Sequence, residues 1–565
     1  MLLALPALSV GLFSDDYALI GYLEHRFAYN PPWWDLYRFA PNDAGSLRAM
    51  RDSGYLPWWS APRLGLHLVR PLPSALLALD HALFGHGALG WHVHSLLWYA
   101  VLLVSVVALF RRVLAPATAS LASLVFAVSG VNVFPYAWPS ARYGLLVAAF
   151  SAIGIAAHVR ARRDAWTPGR WLAPAALLAA MLCGEGALGG VAFAVAYDLF
   201  GPAGEGARRI AERVRRALPL ALMALAYLVT YALIGGGARD SGGYLSPLSD
   251  PAGFLSVAAT RFPVLLANAL LGIPAEASTL GFATALAVAG VVATALFALL
   301  WRACAPLAED DERAAVGWLT VGVLASIATG VGGFPGAREL IVANLGIAPI
   351  VAIVLRHGFE AGPLALVRRA SASGLVLTQL VFGPLVQLAN IAGMSTAARG
   401  TEAVAGAIVR EIHGSSRAFL LVSSDPMVAM YAPAMLAVEG YGRPDCWGWI
   451  SGSPHDVTIA RTASSSFSLR LAHGAFLRTS FEQLFRDPRL PFSVGDTFPI
   501  CGASVRIASV EAGLPARLEV TADGDLDAPT TPWLAWDAGQ LKSVVFPPVG
   551  QESTIHWAVG PSGAF

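Results

Sequence analysis

The sequence predicts a mainly α protein, a polytopic transmembrane bundle of about eleven spans followed by a small extracytoplasmic domain of α+β or mostly β character. Three observations predict it. Charge is scarce. Of 565 residues, 56% are hydrophobic and 13% charged, against about 25% charged in a soluble globular domain, and mean hydropathy is +0.59. The charge is missing from long apolar runs separated by Arg-rich or Gly/Pro-rich breaks, the pattern of a multi-span membrane protein. Beyond Met394 the character changes, and from Asp456 on strand-like alternation dominates, as in "SFSLRL" and "ARLEV". The formal net charge of +1 offers no global basic field for nucleic acid. Lys542 is the only lysine among 38 basic residues, which reads as codon bias toward Arg.

The apolar runs cover 1–13, 89–110, 117–134, 143–157, 171–183, 186–200, 217–234, 279–301, 314–332, 339–355 and 371–391. A spanning helix needs about 20 residues, so the first, fifth and sixth are short. The first opens at Met1 with no polar lead, which leaves an upstream start open. A cleaved signal peptide is the other option, but the run has neither a basic n-region nor a small-x-small site. Gly184–Glu185–Gly186 separates the fifth and sixth. Arg-rich segments flank that pair, "HVRARRDAWTPGR" from His158 and "GEGARRIAERVRR" from Gly204. Both belong on the cytoplasmic side by the positive-inside rule, which demands a hairpin with Glu185 near the far surface. The same alternation puts Arg111, Arg112, Arg302, Arg313, Arg356, Arg368 and Arg369 inside. It puts Asp15, Asp16, "YAWPSAR", "GGFPGARE", the two long loops (14–88 and 235–278) and the C-terminal region outside. The domains are thus 1–394, in the membrane, and 395–565, soluble and extracytoplasmic.

The long loops carry helical apolar spacing in "RPLPSALLALDHALFG" and "FLSVAATRFPVLLANALLG", which suits helices lying in the interface. Trp33, Trp34, Trp58 and Trp59 fit an interface belt, or stacking against a sugar. In the C-terminal domain "TEAVAGAIVREIHG" and "PMVAMYAPAMLAVEG" read as helices and "AFLLVSS" as a buried strand. Cys446 and Cys501 both lie there, and their pairing is open on sequence alone.

The topology gathers ionisable residues on the outer face. Asp15 and Asp16 end the first span. Arg70 closes the polar part of the first loop, Arg142 and Arg338 stand where spans enter the membrane, and Glu185 sits in the hairpin. Arginines on that face run against the positive-inside bias and ask for an anionic partner, a carboxylate or a phosphate at headgroup depth. Helix N-termini at Arg142 and Arg338 favour the same. A carboxylate nearby can serve as general base on an acceptor hydroxyl. Adjacent residues of a helix diverge by about 100°, so one acid of the pair is expected to be catalytic and the other to position or cap. The alternative is that both simply end a helix in water. His81, His86, His92 and His94 match no metal-binding spacing, so no metal ligands are assigned, and His92 fits better as a phosphate or carboxylate partner.

With these residues in view, the chain resembles the GT-C class of polyprenyl-phosphate-sugar-dependent glycosyltransferases, in particular the membrane half of the tetratricopeptide-carrying O-mannosyltransferases. The blocks that carry the resemblance are "SDDY", "RPLPSALLALDHALFGHGALGWHVHSLLW", "AWPSARYGLL", "MLCGEGALGGVAFAVAYD" ending at Asp198, and "ARELIVANLGIAPIVA". The resemblance implies transfer of a sugar from a polyprenyl phosphate to a protein, lipid or glycan acceptor on the extracytoplasmic face. Asp15 or Asp16 would be the base, Arg338 and Arg142 would lie near the donor phosphate, and Arg70, His92 and Glu185 would bind substrate. Use of a divalent metal stays open, because enzymes of the class differ. The chain departs from the pattern in having Gly184 where the family has Lys, and in lacking tetratricopeptide repeats. A non-catalytic scaffold of an envelope glycan assembly is the alternative. A transporter of lipid-linked glycan is disfavoured because the spans lack deep polar residues.

Overall fold

A chain in lipid must satisfy its own backbone N–H and C=O groups, and the apolar runs accordingly form helices. The computed structural model describes residues 1–202, 210–441, 444–528 and 531–561. Among them seven helices are long and apolar enough to cross a membrane: Ala88–Val113, Pro139–Arg163, Ile210–Leu233, Pro251–Leu271, Ala283–Cys304, Asp310–Gly330 and Ala365–Ile412. The pair Pro116–Val128 and Gly130–Ala137, bent by 53°, makes an eighth if it is one span. Other expected spans are shorter. Gly169–Met181 has 13 residues, Ala187–Phe200 has 14 and Asn344–Gly358 has 15. The run 1–13 yields only the eight-residue 3-10 helix Leu2–Ser9, which contains Pro6. Pro251–Leu271, expected to lie in the interface, instead has the length and composition of a span. Of the Arg-rich segment 204–216, residues 204–209 lie outside the described residues.

The chain divides into two compact units. The first comprises Met1–Val10, Leu68–Gly236 and Ser246–Ala392, and the second Gly11–His67, Gly237–Leu245 and Gly393–Phe565. The sequence suggests a single boundary at 394/395; the second unit also takes in 11–67 and part of the next long loop. Non-local strand pairing is the reason. Arg38–Pro41, Gly65–His67 and Gly237–Arg239 form a three-stranded antiparallel sheet.

In the first unit, helices pack where small residues allow it. A Cβ on Gly290 would stand 1.8 Å from the Pro263 carbonyl oxygen, so helices Ala283–Cys304 and Pro251–Leu271 touch backbone to backbone there. The outward faces are apolar. Leu218, Leu222, Leu225 and Val229 on one helix, and Val288, Val291, Val292, Leu296 and Leu299 on another, are exposed. Contiguous apolar surface of this kind suits lipid, not water.

Charge in the first unit collects at the helix ends. Arg112 pairs with Asp164 (3.7 Å), Arg163 with Asp311 (3.6 Å), and Arg356 with Glu309 (3.5 Å) and Glu312 (3.1 Å). Arg162 grips Asp198 through two bonds of 2.8 and 3.0 Å. Residues that the charge pattern assigns to one side therefore do meet. The helix Tyr143–Arg163 carries this arginine-rich layer at its end and Tyr143 at its start. Twenty residues of helix separate them, about 30 Å at 1.5 Å per residue, the thickness of a bilayer's hydrocarbon core.

The second unit has a six-stranded antiparallel sheet in the order Glu552–Ile555, Val457–Ala463, Ser466–Leu471, Leu514–Thr521, Ala503–Glu511, Thr497–Ile500. A four-stranded sheet holds Gln540–Ser543, Trp533–Asp537, Arg417–Val422 and Cys446–Ser451, the last three parallel. The expected strands "AFLLVSS", "SFSLRL", "ASVRIASV" and "ARLEV" are all present. Cys446 and Cys501 form a disulfide. Trp58 and Trp59, read as interface or sugar-stacking residues, are instead buried core. Their indole N–H groups donate to the Ile450 carbonyl (2.9 Å) and the Glu482 carbonyl (3.0 Å). Trp33 and Trp34 are exposed.

Candidate functional site

The candidate residues fall into two groups, one in each unit. In the first unit Arg70 is the residue before helix Pro71–Phe84. Its guanidinium donates to Glu185 Oε1 at 3.0 Å and lies 3.5 Å over the centre of the Tyr143 ring. Glu185 stands in the break between Gly169–Met181 and Ala187–Phe200, as its flanking glycines suggest. Gly184 has φ +151°, and a Cβ there would be 3.3 Å from Arg70 Nε. Glycine thus both shapes the turn and leaves room for the arginine.

Arg338 sits on the 3-10 turn Ala337–Leu340, which leads into Asn344–Gly358. It pairs with Glu339 at 3.3 Å. Glu339 lies within electrostatic reach of Glu185 and Arg70, and Tyr143 within reach of both pairs. Arg70, Glu185, Arg338 and Glu339 therefore form one cluster, two cations with two carboxylates. Glu276 braces the turn, accepting the Ala337 N–H at 2.8 Å. Arg261 donates to the Gly333 carbonyl at 2.8 Å.

Arg142, expected near a donor phosphate, has protein groups for partners. It is buried, forms an ion pair with Asp80, and donates to Ser95 Oγ (2.9 Å) and the Trp91 carbonyl (2.8 Å). His94 joins the same network through Asp80, with its other nitrogen accepting from the Trp98 indole at 3.0 Å. The anion that this buried arginine needs is Asp80, a protein carboxylate. His92 is buried in the same helix, Ala88–Val113. Asp198, the end of one resemblance block, belongs to the arginine-rich layer, held by Arg162 and by His158 at 3.1 Å.

In the second unit, Asp15 and Asp16 open helix Asp15–Leu23, where carboxylates favour the helix dipole. The two acids differ in burial and in partner, as their divergence around a helix leads one to expect. Asp16 is buried and its Oδ2 accepts the Phe13 N–H at 3.1 Å, tying the helix to the residue before its N-cap, Ser14. Asp15 is half-buried and its Oδ1 accepts from the Tyr431 hydroxyl at 2.7 Å. Burial, and then the Asp15 charge, push the Tyr431 hydroxyl well above its ordinary value, so it stays a donor. Sequence reasoning missed Asp80, Glu339 and Tyr431. The acid next to Arg338 in "GARE" was a visible cue for Glu339; Asp80 and Tyr431 gave none.

No protein-family model matches the chain, and no curated protein matches it. Among solved structures, it is similar to the Archaeoglobus fulgidus oligosaccharyltransferase tethered to an acceptor peptide containing the NVT sequon, at 11% identity and TM-score 0.40, over 79% of this chain and 63% of that one. It is also similar to ArnT from Cupriavidus metallidurans bound to undecaprenyl phosphate, at 15% identity and TM-score 0.30, over 79% of this chain and 77% of that one. The chain thus spans less than two thirds of the oligosaccharyltransferase's length.

Proposed function

We propose that this is a GT-C-type membrane glycosyltransferase that moves a sugar from a polyprenyl-phosphate donor to an extracytoplasmic protein, lipid or glycan acceptor. The observation that carries the reading is the Arg70–Glu185–Arg338–Glu339 cluster. In the sequence it belongs to the loops opposite the arginine-rich layer, where the positive-inside bias disfavours arginine. Arg70 and Arg338 are the candidates for the donor phosphate, since guanidinium matches phosphate in geometry as well as charge. Arg70 also stands beside Glu185, where the family's Lys is replaced by Gly184, so the cation lost from the chain at 184 has a substitute. Asp15 is the candidate base, because its carboxylate is partly exposed while Asp16 is buried and holds the Phe13 N–H.

The arginine-rich layer is then cytoplasmic, and the second unit, with Asp15 and its disulfide, faces an oxidising compartment. Soluble domain, acceptor chemistry and sidedness are parts of the same proposal. Asp15→Asn should lower transfer by about 10²-fold or more, the scale of general-base catalysis, at unchanged protein level. The measurement is acceptor glycosylation in cells or vesicles. Unchanged glycan would favour the non-catalytic scaffold. Asp16→Asn should mainly lower thermal stability, by about 1 kcal/mol for a weakened hydrogen bond to the Phe13 N–H.

A further inference from the structure

Among the described residues of the first unit, buried side-chain oxygens of Asn132, Ser151, Asn268 and Ser326 have no hydrogen-bond partner, and neither do two more that lie within electrostatic reach of Arg70. One is Glu185 Oε2, whose sister oxygen is held by Arg70; the other is the Tyr227 hydroxyl, near the end of helix Ile210–Leu233. Buried polar atoms in native proteins are nearly always paired, so an orphan marks a place that something else fills. These two belong together. The charged groups that Tyr227 feels are Glu185 and Arg70. The neighbouring Tyr231, whose ring centre is 5.7 Å from that of Tyr227, feels the same pair.

The chemistry of the two orphans restricts the occupant. A carboxylate oxygen is an acceptor only, and a phenol both donates and accepts. A phosphate would meet Glu185 Oε2 charge against charge. A metal ion would find one carboxylate oxygen and one neutral phenol, too few donors. A neutral hydroxyl satisfies both groups at once, giving its proton to Glu185 and accepting from Tyr227. We infer that Glu185 and Tyr227 form a hydroxyl-binding pair that holds the sugar of the donor, leaving the phosphate to the arginines. This rests on the proposed glycosyltransferase reading and deepens it. It also narrows the part of Glu185 from substrate binding in general to the sugar.

The test is binding by the full chain in lipid nanodiscs. The probes are undecaprenyl phosphate and undecaprenyl-phosphate mannose, glucose and arabinose. The wild type should bind at least one sugar-bearing probe more tightly than the bare carrier. Tyr227→Phe should cut that preference about five- to tenfold, the worth of one hydrogen bond, and leave bare-carrier affinity within about twofold. Because the hydroxyl has no protein partner, its removal should not lower thermal stability. Glu185→Gln should cut the same preference, as a second probe of the pair. An unchanged preference in Tyr227→Phe, an equal weakening of all probes, or a wild type with no sugar preference would overturn the inference and leave the glycosyltransferase reading standing. A wild type that binds neither carrier nor glycosylated carrier would overturn both.

Discussion

At the scale of residues, burial separates arginines that look alike in sequence. Arg142 and Arg338 each precede a helix on the same predicted face. Arg142 is consumed by Asp80, Ser95 and Trp91, whereas Arg338 is part-exposed beside Glu339. The difference lies in Asp80, which is 62 residues from Arg142 along the chain and sits on a helix of its own. Arg142→Ala would strand the Asp80 carboxylate and should cost about 3–5 kcal/mol. Adding Asp80→Asn should return part of that loss, because the stranded charge is gone. A double-mutant cycle on thermal unfolding in detergent reads the coupling; additive losses would contradict it. That Asp15 and Asp16 would face different surroundings was legible, since it follows from helical geometry alone. Which partner each would take was not, because that depends on the backbone of Phe13 and on Tyr431, some 416 residues away from Asp15.

Among the elements, local patterns were legible and lengths less so. The runs around residues 89–110, 279–301 and 314–332 became full helices because no proline and no Asp, Glu, Lys or Arg interrupts them. The strands "SFSLRL" and "ASVRIASV" followed from alternation. The pairing of Gly65–His67 with Gly237–Arg239 leaves no sequence trace, being three-residue strands joined across a long separation. The same blindness turned Trp58 and Trp59 into surface residues, although they are core. For Pro251–Leu271, interspersed polar residues suggested an interfacial helix, while its contact with Ala283–Cys304 depends on a single missing side chain. Gly290→Leu should force these helices apart. The expected loss is about 1–3 kcal/mol, typical of overpacking, seen as a lower melting temperature in detergent. A wild-type melting temperature would show that the close approach is dispensable.

For the molecule as a whole, the two units draw on different forces. The first relies on lipid to cover its apolar faces. The second has a core of its own and one cross-link, between cysteines separated by 55 residues. Cys501→Ser should destabilise the second unit by about 2–4 kcal/mol, and a reducing agent should do the same to the wild type but not to the variant. The first unit's reliance on lipid leads further. Tyr143, against which Arg70 stacks, and the arginines at the other end of the same rigid rod are set about 30 Å apart. Neither end can be drawn into hydrocarbon cheaply, so the rod works as a caliper on the membrane. Thicker bilayers would pull one charged end below the headgroups, at a fraction of a kcal/mol per ångström of mismatch. Turnover in vesicles of graded acyl-chain length should therefore peak near the matching thickness and fall off on either side of it.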